Sequence, residues 1–275
     1  MTESDHGWTA ILLAGQRPGT DPLAAAFGLE TKALVPIAGR PMIAHVVETL
    51  LGVPRIGRIV VLAQDPAAVL AAAGLDDPRL VPMPSGAGIS ASIAAVAGGD
   101  AAPWPVIVCT ADHPLLTPAM IEAVIDGVGD ADVAVGVVGR RVLRAAYPAN
   151  RRTWLRFADD GWTGANLFAL ARPAAARGLA AWSEVERDRK KAWSLIRHFG
   201  LGLAVRALTR TITLGGAMAR ASAALGFVAR PVALPFAEAA IDVDKLSDHA
   251  LAETILRGRS GGVPDKAREG AADSV

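Results

Sequence analysis

Cysteine occurs once in the 275 residues, at Cys109, so the chain forms no internal disulfide and has no cysteine-based zinc site. A reducing cytoplasm is the compartment expected from that usage. Charge of one sign is also missing: 28 Lys and Arg against 27 Asp and Glu leave a formal +1, which provides no electrostatic footprint for nucleic acid. Any phosphate binding is therefore expected to be local to a site. The opening residues, MTESDHGW, lack a basic segment followed by an apolar core, so no secretory signal is expected there. A transmembrane run is missing too. Residues 199–228 are apolar, but Arg206, Arg210 and Arg220 interrupt any span of the roughly 20 apolar residues that crossing a bilayer requires. Two amphipathic helices broken near Gly215-Gly216 are expected there, covering the sheet or a partner subunit of a homodimer, with no stable membrane insertion. No internal repeat is visible.

What is present is a 52% hydrophobic chain, long enough to bury a large core in one α/β domain. Strand and helix patterns alternate: strands at Trp8–Leu13, 57–63, 79–83, 105–111 and 132–138, and helices at 41–51, 66–73, 89–98 and 117–128, the last opened by Thr117 and Pro118. The alternation predicts a three-layer α/β/α fold around a mainly parallel mixed sheet. The domain is expected to span 1–257, with a helical insertion at about 199–228. The tail from Gly258 to Val275 is polar and glycine-bearing and is read as disordered.

The first strand breaks into Ala14, Gly15, Gln16, Arg17, Pro18 and Gly19, a turn whose bared backbone N–H groups can approach a phosphate. Arg17, a planar multi-donor cation, and Lys32, a mobile point charge, would offset a nucleotide tail. Val106 to Thr117, VIVCTADHPLLT, delivers Asp112 at the carboxyl end of an apolar strand, where ligands bind in open α/β sheets. Mg²⁺ takes oxygen ligands and is usually held by one or two carboxylates plus substrate phosphates, so Asp112 is the leading metal ligand. His113, with no second clustered histidine, reads as a local hydrogen-bonding residue. At Ala239 to Lys245, the alternation of Ile241 and Val243 with Asp242 and Asp244 predicts a short strand with both carboxylates on one face. Two such carboxylates repel unless a cation or donors lie between them.

Pro84 to Ser92, PSGAGISAS, opens a helix whose free N–H groups, with Ser85, Gly86, Ser90 and Ser92, can hold a base edge or ribose. Arg187 to Trp193 is a basic run in which Lys190 or Lys191 would bind an acceptor phosphate if it is more than a solvated face.

The chain resembles the nucleotidyltransferases of the glycosyltransferase-A-like fold, above all the MobA-like group of molybdenum-cofactor guanylyl- and cytidylyltransferases. Leu13, Ala14 and Gly15 match the start of the LxAGGxxxRxG signature, Lys32 its lysine, and Lys32 to Met42, KALVPIAGRPM, its second part. Gln16 replaces the second glycine and Arg17 comes early. The resemblance implies that Leu13, Ala14, Gly15, Gln16, Arg17 and Lys32 bind the nucleotide, and that Asp112 and Asp244 share Mg²⁺, with Asp242 in reserve. It also implies that Gly164 and Asn166, within the family's G-A-N-L-F segment, face the acceptor. Arg17, Lys32 and Asp112 would then be catalytic in transfer of NMP from an NTP, CTP or GTP, to a phosphorylated small molecule, with pyrophosphate released. A glycosyltransferase of the same fold should carry Asp-x-Asp at the central strand, where Cys109 to Asp112 has one carboxylate. A non-catalytic regulator would keep the loop without the Asp112 and Asp244 pair.

Overall fold

The computed structural model describes residues 7–16, 19–187 and 209–261. Its centre is an eight-stranded sheet of β1 (Trp8–Leu13), β4 (Ile56–Ala63), β5 (Leu80–Pro84), β6 (Val106–Thr110), β7 (Val133–Gly139), β8 (Leu155–Arg156), β9 (Gly161–Leu170) and β10 (Ala229–Ala233). The order across the sheet is β10-β7-β9-β6-β1-β4-β5, with β8 paired to β9. β9 runs antiparallel to β6 and β7, while the β10–β7, β6–β1, β1–β4 and β4–β5 pairs are parallel. A two-stranded ribbon of β2 (Pro36–Ile37) and β3 (Arg40–Pro41) lies apart.

Alternate residues of each central strand enter two separate cores, which explains why these strands read as continuous apolar runs. Ala10 and Leu12 of β1, Ile59 and Val61 of β4, and Ile107 and Cys109 of β6 share one core. It is covered by α1 (Pro22–Ala26), α2 (Met42–Leu51), α3 (Pro66–Ala72), α5 (Pro118–Asp126), α6 (Arg140–Ala146) and α9 (Leu246–Gly261). Ile11, Val60, Leu62 and Val108 face the other core, beneath α4 (Ile89–Val96), α7 (Ala175–Arg187) and α8 (Leu214–Ala224). The architecture is the expected three-layer α/β/α with a mainly parallel mixed sheet. Burial pushes the Cys109 thiol up to about 12.

Local chemistry sets the helix starts. Asp21, Asp65 and Thr117 each accept backbone N–H groups at an N-cap, and each is followed by Pro at the first helical position.

Three expectations change. The segment 241–244 belongs to no sheet; it is extended chain between a 3₁₀ turn, Ala237–Ala240, and α9. The last helix passes residue 257 and runs to Gly261, so the polar run from Gly258 starts inside a helix; residues 262–275 lie outside the described part. Gly215 and Gly216 do not break a helix but sit in the first turn of α8, where Thr213 caps the N–H of Gly216. The partner helix expected around Leu203–Leu208 falls outside the described residues. Among the described residues no helix is long and apolar enough to cross a membrane.

Met218 on α8 packs against the core shared with α4 and α7. Met218→Glu should lower the urea midpoint or alter the oligomeric state, since an unpaired buried charge is costly. Unchanged unfolding together with an unchanged sedimentation profile would remove α8 from the packing role assigned to it.

Candidate active site

The strand order places β1 between β4 and β6, the switch point outside whose carboxyl ends open α/β sheets bind ligands. A cleft of about 750 Å³ opens there, lined by Leu13, Ala14, Gly15 and Gln16 after β1, Gln64 after β4, Ser85, Gly86 and Ser92 around the start of α4, and Thr110 to Asp112 after β6. Backbone bonds fix these segments to each other: Ala14 N–H donates to Leu62 O at 2.8 Å, Ser85 N–H to Ala63 O at 2.8 Å, and Ala111 N–H to Leu13 O at 2.9 Å. A second cavity, between the sheet and helices α4, α7 and α8, is lined almost wholly by apolar side chains such as Val108, Phe168, Trp182 and Met218 and offers no charged group for chemistry.

Lys32, on the 3₁₀ turn Lys32–Leu34, is the hub of the polar cleft. Its Nζ donates to Asp112 Oδ2 at 2.8 Å and to Asp244 Oδ1 at 2.7 Å. Burial works against the ammonium, but the attraction of the two carboxylates outweighs it, and the Lys32 pKa lies above the ordinary lysine value. Three motifs far apart in the sequence thus meet at one point. Asp244 is brought there by the Val243 N–H, which donates to Asp112 O at 2.8 Å. Thr117, not Asp112, caps α5, so the Asp112 carboxylate is left for the cleft.

Four buried side-chain oxygens that lack a partner among the described residues line this cleft: Gln16 Oε1, Ser85 Oγ, Thr110 Oγ1 and Asp112 Oδ1. Buried polar atoms are normally satisfied, so their convergence suits a polar ligand. Asp21, Asp112, Glu186 and Asp244 line the cleft together with Lys32, the cation among the described lining residues; Asp112 and Asp244 bind Lys32, while Asp21 and Glu186 cap α1 and α4. Among the described residues no group of three or more His, Cys, Asp or Glu is arranged to hold a metal, so a cation here would rely on Asp112 and Asp244 together with ligand oxygens.

Gln64, which the sequence did not single out, shapes the loop. Its amide accepts from Gln16 N–H at 3.1 Å and donates to Gln16 O at 2.8 Å, so it replaces what a neighbouring strand would supply. A side chain at residue 15 would come within 3.3 Å of Ser85 Oγ, which explains the glycine there.

Ser90 is a correction. Although expected to face a base or ribose, it is fully buried and donates to Glu186, whose carboxylate also accepts from the N–H groups of Ile89 at 2.9 Å and Ser90 at 3.0 Å. The helix N-terminus read as a ligand site is thus capped by the protein's own carboxylate. Ser92 is occupied as well, accepting from Gly86 N–H at 2.8 Å and donating to Gly88 O at 2.6 Å, so it shapes the loop.

Asp242 takes partners other than Lys32. It accepts from Arg152 and, at 3.1 Å, from the Asn166 amide. Burial raises its pKa above the ordinary aspartate range, with Arg152 opposing. That occupation removes it as a reserve metal ligand. Asn166 has φ +50° at a bulge of β9, where Val135 faces Phe168 but Val137 faces Gly164. Gly164 is exposed with open space beside it. His113 is buried, held to Glu238 O at 3.2 Å, and burial lowers its pKa, in keeping with a neutral local hydrogen-bonding role. Arg17, Lys190 and Lys191 lie outside the described residues.

The Arg152 and Asp242 side chains are 16% and 21% exposed. Removing one partner of such a pair leaves the other unpaired, so Asp242→Ala should cost about 2 kcal/mol by urea unfolding, less than a fully buried pair because of this exposure. A loss below about 0.5 kcal/mol would mean that solvent, not Asp242, satisfies Arg152.

Residues 10–201 match the MobA-like NTP transferase domain family. A 2-C-methyl-D-erythritol 4-phosphate cytidylyltransferase of Ralstonia nicotianae is 31% identical over 239 residues, covering 82% of this chain and 85% of that protein. A hypothetical transferase structure from Thermus thermophilus superposes with TM-score 0.73 at 29% identity, over 88% of this chain and 99% of that one. The structure of CMP:2-keto-3-deoxy-manno-octonic acid synthetase complexed with CTP shares the fold, with TM-score 0.55 at 17% identity, over 92% and 99%. With its loop after β1, its lysine and its strand-end aspartate in one cleft, the chain belongs to the MobA-like NTP transferase family and is a nucleotidyltransferase.

Proposed function

We propose that the chain transfers NMP from an NTP, CTP or GTP, to a phosphorylated small molecule and releases pyrophosphate, with Mg²⁺ as cofactor. The observation that carries this reading is the convergence of Lys32, Asp112 and Asp244 at the carboxyl edge of β1 and β6. An acceptor phosphate oxygen attacks the nucleotide α-phosphorus, forming the new P–O bond as the bond to pyrophosphate breaks. A phosphate monoester is largely ionised at neutral pH, so no protein nucleophile or strong base is required. The buried and neutral His113 agrees with that economy.

The residues divide the work. Backbone from Leu13 to Gln16, held by Gln64, borders the triphosphate, with Ser85 and Gly86 on the base and ribose side. Lys32, with Arg17, offsets the charge of the departing pyrophosphate. Asp112 and Asp244 would hold a hard divalent cation, which supplies charge neutralisation on the phosphates. The carboxylate pair supports that need, since a triphosphate set beside Asp112 and Asp244 gains little from Lys32 alone, whose ammonium those two carboxylates already engage. Asn166 and Gly164 on β9, with Lys190 or Lys191, form the acceptor side. CTP is the first nucleotide to test, because the Ralstonia relative is a cytidylyltransferase. The buried Cys109, alone of its kind, supports a reducing cytoplasm.

Pyrophosphate release from each of the four NTPs across a panel of phosphorylated acceptors tests the activity. Asp112→Ala should fold normally yet lower turnover by about two orders of magnitude, the size seen when one electrostatic stabiliser is lost. Near-normal release by the folded variant would sink the assignment. Lys32→Ala should act on NTP KM and on turnover. A change confined to acceptor KM would mean that the two ends of the site are reversed.

A further inference from the structure

Transfer does not require Lys32 to be bonded to the two carboxylates before a nucleotide arrives, yet it is. One ammonium, 19% exposed, donates to Asp112 Oδ2 at 2.8 Å and to Asp244 Oδ1 at 2.7 Å, using two of its three protons on the atoms assigned to a divalent cation. The third carboxylate nearby, Asp242, is engaged by Arg152 and Asn166 and gives no alternative seat. We infer that Lys32 is the resident cation of the Asp112 and Asp244 pair in the nucleotide-free protein and keeps free divalent cations out, so that the pair takes a cation only with a nucleotide whose phosphates draw the lysine away. This rests on the carboxylate pair being the metal site, as proposed above.

The physical basis is competition between like charges. An ammonium and a divalent cation on the same two oxygens repel, so occupancy by one disfavours the other. Lys32 can leave because it sits on a flexible four-carbon stem whose turn lines the cleft, and triphosphate oxygens there offer it a replacement anion. Asp244 can release it because its side chain is 58% exposed, while Asp112 stays anchored in the strand-end turn. The consequence is an order of binding. Nucleotide and divalent cation enter together, and the carboxylates, which would otherwise repel each other and trap stray cations, remain half-neutralised and aligned between turnovers.

Mn²⁺ alone is the probe, titrated into nucleotide-free protein and followed by the EPR signal of free Mn²⁺. Wild type should bind it weakly, in the millimolar range. Lys32→Met and Lys32→Gln, which remove the charge, should bind it at least tenfold more tightly, and should gain more in Tm from added Mn²⁺ than wild type does. Adding Asp244→Asn to Lys32→Met should abolish the gain. Equal Mn²⁺ affinity in wild type and both neutral variants, with binding lost in Asp112→Asn, would overturn the inference while leaving the metal site in place. Mn²⁺ binding that Asp112→Asn and Asp244→Asn both leave unchanged would instead remove the metal site and the functional reading with it. If neither neutral variant folds, wild type decides: micromolar Mn²⁺ binding without nucleotide overturns the inference, and millimolar binding supports it.

Discussion

The ammonium of Lys32 reaches Asp112 and Asp244 at the same time, and the cleft has its shape because those three residues must meet. They come from a 3₁₀ turn after α1, the end of β6 and the approach to α9, so the pairing closes loops of 80 and 212 residues. Such closure is entropically unfavourable unless a rigid frame already holds the segments together. The sheet provides that frame: β6 and β4 flank β1 in parallel register, and the two cores on its faces hold these central strands independently of the polar contacts. Placing the half-buried Asp112 and the exposed Asp244 beside one lysine is tolerable on this account, because neither has to be held in place by the ion pair itself.

Much of that frame was legible in the sequence. Strands buried on both faces produce unbroken apolar runs, and VIVCT and RIVVLA are such runs; N-caps followed by proline mark helix starts through local hydrogen bonds alone. Asp112 was legible for the same reason, since a carboxylate directly after a buried strand lies at the ligand-binding edge. Lys32 and Asp244 were recognised from the family pattern, and their shared contact with Asp112 follows from the topology.

What escaped the sequence is chemistry made between distant segments. Glu186 caps α4 from 96 residues away, Gln64 completes the loop at Gln16 from 48 away, and Arg152 reaches Asp242 across 90. None leaves a periodic or spacing signal in its own neighbourhood. Glu186 lay one residue before a run read for its positive charge, and its carboxylate displaced Ser90 from the role its position at a helix start implied. The strand expected at 241–244 failed for a related reason: alternation there is set by partners on three sides, with Ile241 and Val243 buried in the core, and not by a neighbouring strand.

That short segment links the two halves of the site. Asp242 binds Arg152 and the Asn166 amide, the Val243 N–H binds the carbonyl of Asp112, and Asp244 binds Lys32. Because the segment pairs with no strand, its Val243 N–H is free for the Asp112 carbonyl while the carboxylates on either side of it bind separate partners. The positive φ of Asn166 belongs to the same arrangement: a bulge in β9 re-aims one amide toward Asp242, away from the ladder it interrupts.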